Sequence, residues 1–162
     1  MNSGKNFLLE IINVLNVNKV NYIIVGGVAV VLQGVERLTM GLDAAVALDQ
    51  ENIKRFLNAM RELELEPRLP IPAESLLEPA KVQMMRDEKN ALVFTFIDPK
   101  LPIRQVDFFL SKDLSYDSLK NDYEEMDLEG QKIKVLTKSK LVELELRVNP
   151  IRDKDMSDIK EL

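Results

Sequence analysis

Two aspartates set among large apolar residues are the most chemically suggestive feature of this chain. Asp43 lies in Leu42-Asp43-Ala44-Ala45-Val46, and Asp107 lies in Val106-Asp107-Phe108-Phe109. An ionised carboxylate among apolar neighbours is costly to bury, so each needs a metal ion, a cation or a hydrogen-bond donor. A strand alternates its faces, so each acid can equally sit on the solvent side of a one-faced sheet. A third feature is Gly26-Gly27, directly after the β-branched run Tyr22-Ile23-Ile24-Val25. The glycine pair ends that strand in a tight turn and leaves no Cβ in the way of a ligand. A strand, a glycine pair, a short helix and an acid on the next strand make a candidate phosphate-and-metal site. Ordinary packing is the competing reading.

Composition narrows the chemistry further. The chain has 162 residues, the length of one domain, taken here as 1–162. It is 46% hydrophobic and 30% charged, as a globular protein is. With neither cysteine nor histidine, it has no thiolate nucleophile, no disulfide framework, no imidazole base and none of the usual zinc ligands. Any metal must be held by oxygen, and Mg²⁺ is the natural candidate. A net charge of −5 argues against tight nonspecific binding of nucleic acid. No apolar run has the length of a membrane span, and the first residues lack the pattern of a signal peptide, so the expected location is the cytoplasm.

The elements that must position these residues follow from periodicity. Phe7, Leu8, Ile11, Ile12 and Leu15 share one face of a helix over roughly residues 4–16. After the strand and glycine pair, residues 28–32 read as a short helix closed by Gly34, and residues 41–48 as a second strand. Asp49 is an N-cap for a helix burying Ile53, Phe56, Leu57, Met60 and Leu63. Residues 66–80 hold four prolines and read as a surface excursion with a short helical turn at 74–77. Residues 91–97 and 104–110 read as a hairpin with a longish loop, and Arg104 is a candidate structural partner for Asp107. Residues 113–127 read as a surface helix or loop, residues 132–136 as a strand, and Thr137 as the cap of a helix. A last helix is expected from about Asp153. The aromatic strip of Tyr22, Phe94, Phe96, Phe108 and Phe109 is expected in the core. This order implies a mixed sheet with helices packed on it, α+β or α/β.

Val25-Gly26-Gly27, a spacer of thirteen residues, Gly41-Leu42-Asp43-Ala44 and the later Val106-Asp107-Phe108 together resemble the nucleotidyltransferase superfamily related to DNA polymerase β. Arg37-Leu38-Thr39 and the tail from Arg152 to Ile159 resemble its small bacterial and archaeal members. Those members include minimal nucleotidyltransferases and components of toxin–antitoxin systems. The resemblance implies a nucleotidyltransferase fold, a mixed β-sheet flanked by helices. It also implies Mg²⁺ held by Asp43 and Asp107 as catalytic carboxylates, and an NTP whose phosphates meet Gly26 and Gly27. Arg37, Thr39 and Lys154 are the further residues it brings to the nucleotide. The implied reaction moves a nucleoside monophosphate from NTP to a hydroxyl of a protein, RNA or small molecule. The chain departs from the pattern at Gly41, where a further metal-binding acid is expected, and at Glu145, where a basic residue is common. Those departures imply weakened catalysis, or a non-catalytic member that binds a nucleotide or a partner protein.

Overall fold

Four consecutive buried residues, Tyr22, Ile23, Ile24 and Val25, form a strand covered on both faces, and the sheet is assembled around it. The computed structural model describes residues 3–34, 41–87 and 92–146. The first elements are α1 (Ser3–Val17), β1 (Tyr22–Val25), α2 (Gly26–Leu32), β2 (Leu42–Val46) and α3 (Gln50–Glu62). A two-residue strand β3 (Glu66–Pro67), a 3₁₀ turn at Ala73–Leu77, α4 (Pro79–Asp87), β4 (Val93–Asp98) and β5 (Leu101–Phe109) follow. The described chain ends with a 3₁₀ turn at Lys112–Leu114, α5 (Tyr116–Leu119), β6 (Tyr123–Leu128), β7 (Gln131–Leu136) and α6 (Lys138–Leu146).

The strands form one seven-stranded sheet in the order β3-β4-β5-β2-β1-β7-β6. β2 is antiparallel to β1 but parallel to β5, and β1 is parallel to β7, so the sheet is mixed and the fold is α+β. One face carries Leu42, Ala44, Phe94, Phe96, Val106 and Phe108, all buried. Phe56 of α3 meets Phe96 and Phe108 edge-on there, with centroids 5.6 and 5.2 Å apart. Ile11, Ile12 and Leu15 of α1 are also fully buried, as the helical spacing predicts. Asp49 caps α3 by accepting from the Asn52 N–H at 3.1 Å. The buried Asn52 side chain bonds the Asn21 N–H, the Asn21 carbonyl and the Ala47 carbonyl, tying the start of β1 to the end of β2.

Several expectations are corrected. Residues 123–128 form β6, a hairpin with β7, with Met126 and Leu128 half-buried on one face of the sheet edge and Glu125 and Asp127 exposed on the other. The connection between β4 and β5 is the two-residue turn Pro99-Lys100, tightened by Asp98 accepting from the Lys100 N–H at 2.8 Å. Pro79 starts α4, where its missing N–H costs no hydrogen bond. Arg104 does not serve Asp107: it bonds Glu10 at 3.1 Å, approaches Asp98 at 3.7 Å and lies over the Phe7 ring. Positions 104 and 107 are an odd number apart on one strand, so they face opposite ways. The expected last helix, from about Asp153, lies outside the described residues.

Candidate functional site

On the opposite face of the sheet, register gathers the candidate side chains into one row. Val25 of β1 pairs with Asp43 of β2, Asp43 with Asp107 of β5, and Asp107 with Thr95 of β4. Directly paired residues project to the same side, on strands about 4.8 Å apart. The two acids singled out from sequence are therefore immediate neighbours, 64 positions apart in the chain and both only partly buried.

Each carboxylate has a donor that aims it. Asp43 Oδ2 accepts from the Gly27 N–H at 3.3 Å, and Asp107 Oδ1 accepts from the Thr95 hydroxyl at 2.6 Å. Gly26 is required for the first of these contacts. Its φ of +65° favours glycine, and a Cβ there would come within 2.0 Å of Asp43 Oδ2. The glycine pair thus lets β1 turn into α2 directly over the carboxylate. α2 is held at its far end by the Gln33 side chain, which donates to the Leu136 carbonyl and to Glu124.

Gly41 occupies a different kind of position. Its φ is +142°, and a Cβ would lie 2.4 Å from the Gln105 carbonyl oxygen and 2.8 Å from Gln105 Cγ. The space an acid at 41 would enter is filled by Gln105, two residues before Asp107 and on the same face of β5. Among the described residues no three acidic side chains gather at one point. Two neighbouring carboxylates nevertheless fit Mg²⁺, which takes one or two protein carboxylates and completes its shell with waters and phosphate oxygens. Arg37, Thr39 and Lys154 lie outside the described residues, as does the tail from Arg152.

Three site residues were not singled out from sequence. Thr95 had a signal, as the one hydroxyl in an apolar strand. Gln105 had a weaker one, its spacing of two from Asp107. Arg68 had none, because it sits in the proline-rich excursion. The register of β3 on β4 pairs Glu66 with Ile97 and Pro67 with Phe96, and its continuation sets Arg68 opposite Thr95. The Arg68 N–H donates to the Thr95 carbonyl at 2.9 Å, and its guanidinium donates to Gln105 Oε1 at 2.9 Å. A cleft of about 480 Å³ lined by Leu57, Met60, Phe96, Pro70 and Ile71 opens on the other, helix-covered side of the sheet.

No protein-family profile matches the chain, and no curated protein matches it in sequence. Solved structures do match. The lincosamide antibiotic adenylyltransferase LnuA, in its lincomycin-bound form, superposes with a TM-score of 0.63 at 16% identity. That match covers 99% of this chain and 96% of LnuA. This chain has the nucleotidyltransferase fold. An antigenic nucleotidyltransferase-like protein from Paracoccidioides brasiliensis also matches, with a TM-score of 0.53 and 16% identity. There the match covers 96% of this chain and 73% of the other. At such identity the likeness is one of fold. On this fold, Asp43 and Asp107 stand on adjacent strands beside Gly26-Gly27.

Proposed function

We propose that this chain is a nucleotidyltransferase that binds an NTP with Mg²⁺ at Asp43 and Asp107. It would transfer the nucleoside monophosphate to a hydroxyl of a protein, RNA or small molecule. The observation that carries this reading is the in-register pair of carboxylates, one bonded to the Gly27 N–H and the other to Thr95. Hard oxygen donors fixed on adjacent strands hold their geometry without reorganising, which is what positioning a triphosphate requires. In the reaction the acceptor oxygen bonds to the α-phosphorus, the bond from that phosphorus to the bridging oxygen breaks, and pyrophosphate leaves. The acceptor's proton passes to a carboxylate of the pair. Bound Mg²⁺ supplies charge neutralisation at the phosphoryl oxygens. Arg37, Thr39 and Lys154 are proposed to reach the nucleotide from outside the described residues.

A second reading has its own support. Gly41 leaves no room for a further acid, which favours a member with reduced or abandoned catalysis that binds a nucleotide or a partner protein, as a toxin–antitoxin component would. Calorimetric titration with ATP, GTP, CTP and UTP, with and without Mg²⁺, tests the shared part of both readings. The expected result is Mg²⁺-dependent binding of at least one NTP, weakened about tenfold or more in Asp43→Asn and Asp107→Asn. Absence of NTP binding by the wild type would overturn the nucleotide reading. Pyrophosphate release above the Asp107→Asn background then separates transfer from binding alone.

A further inference from the structure

We propose that Arg68 is a phosphate-binding residue of this site, its guanidinium aimed across β4 by Gln105 toward the outer phosphates of the bound triphosphate. The inference rests on the nucleotide-binding reading of the Asp43–Asp107 row and deepens it.

Three observations converge on Arg68. Its backbone extends the row: Asp43, Asp107 and Thr95 are paired across β2, β5 and β4, and Arg68 stands opposite Thr95, donating its N–H to the Thr95 carbonyl. Its side chain then reaches across β4 on this face of the sheet. The hydrogen bond to Gln105 Oε1 spans β4, and Gln105 stands one two-residue step of β5, about 7 Å along the backbone, from Asp107. Finally, Gln105 occupies the space that a side chain at position 41 would enter. The place of an absent acid is thus closed by the backbone and Cγ of a residue whose side-chain amide bonds Arg68.

The charges make sense of the exchange. A triphosphate brought to two carboxylates meets like charge, which one divalent ion offsets only in part. A guanidinium on the same face supplies the missing positive charge without a second metal ion. Arginine suits the task because its planar fork matches phosphate oxygens two at a time, and five N–H donors are available where the Gln105 bond uses one. The orienting partner matters as well. Arg104, with Glu10 and Asp98 against it, has its charge compensated, whereas the group that holds Arg68 is a neutral amide and leaves the charge intact. Arg68 is itself exposed, so a ligand lying on this face can reach it.

Calorimetry with the same nucleoside as mono-, di- and triphosphate, in the presence of Mg²⁺, tests the assignment on the full chain. Wild type, Arg68→Ala, Arg68→Lys and Gln105→Leu are compared, with thermal melting as the check on folding. Expected is a loss of about tenfold or more in triphosphate affinity for Arg68→Ala, with monophosphate affinity changed less than about twofold. Arg68→Lys should recover part of the loss, since it keeps the charge but not the fork. Gln105→Leu should weaken triphosphate binding in the same direction by a smaller factor, because the guanidinium is released but still present. Unchanged triphosphate affinity in Arg68→Ala, where binding still depends on Asp43, overturns the role of Arg68 and leaves the nucleotide reading standing. An equal loss for all three ligands also overturns it, as general damage to the sheet edge. No triphosphate binding by the wild type removes both proposals together.

Discussion

At Gly26 a positive φ coincides with the closest approach in the site, so a single added methyl meets both constraints at once. Gly26→Ala forces a left-handed alanine and drives its Cβ into the Asp43 carboxylate. We expect a cost of about 2–4 kcal/mol in urea unfolding, together with loss of Mg²⁺-dependent NTP binding, because Asp43 must rotate away from the Gly27 N–H. Gly41 poses a sharper question, since restoring an acid there looks from sequence like repair. The structure predicts the reverse. Asp at 41 meets the Gln105 backbone carbonyl in a backbone conformation that disfavours any side chain. Gly41→Asp should therefore melt below wild type, by roughly 4–12 °C for a loss of about 2–3 kcal/mol. It should gain no affinity for Mg²⁺·NTP. A variant as stable as wild type with tighter metal-dependent binding would contradict this account.

Among the elements, α3 and its cap hold the face that carries Asp43 and Asp107 in place from behind. Asn52 stands at the first turn of α3 and makes three hydrogen bonds to the segments flanking β1 and β2, entirely shielded from water. Leucine at that site keeps the volume but removes the partner of the Asn21 N–H and of the buried Ala47 carbonyl, while the Asn21 carbonyl keeps the Ala47 N–H. Asn52→Leu should cost about 2–4 kcal/mol, read as a lower urea midpoint at unchanged slope. Affinity for nucleotide per folded molecule should hold, because the Asp43–Asp107 register lies at the other end of β2. The short strand β3 matters for a different reason. Two residues of pairing are enough to set the next residue, Arg68, in the row, so a proline-rich excursion contributes a candidate ligand contact without forming a long edge.

Over the whole molecule, one titration couples the core to pH. Tyr22 is buried at the start of β1, its hydroxyl donating to Asn16 at 3.2 Å, and burial raises its pKa well above the ordinary value of 10. The folded state therefore holds this proton more tightly than the unfolded state. The corresponding stability is fully present below about pH 10 and is lost as pH rises beyond it. Urea unfolding from pH 7 to 11 should show stability falling on the alkaline side, with a shallower fall in Tyr22→Phe. An equally steep decline in that variant would place the pH dependence on other groups.

Local pattern alone determined much of this protein. The runs of β-branched residues, the Asp49 cap, the helical spacing of α1 and α3 and the glycine pair each act within a few residues, so sequence specifies them directly. Asp43 and Asp107 were visible for the same reason: a carboxylate in an apolar strand stands out wherever it is. The edge strand β6 was missed because charged residues at a one-faced edge mimic a solvated helix or loop. Tertiary structure alone decided what the acids stand next to. The pairing of β2 with β5 joins residues 64 positions apart, and the register of β3 on β4 brings in Arg68 from a stretch with no signal of its own. Whether Gly41 was an empty place or a filled one depended on Gln105, whose position is set by the sheet and not by its neighbours in the chain.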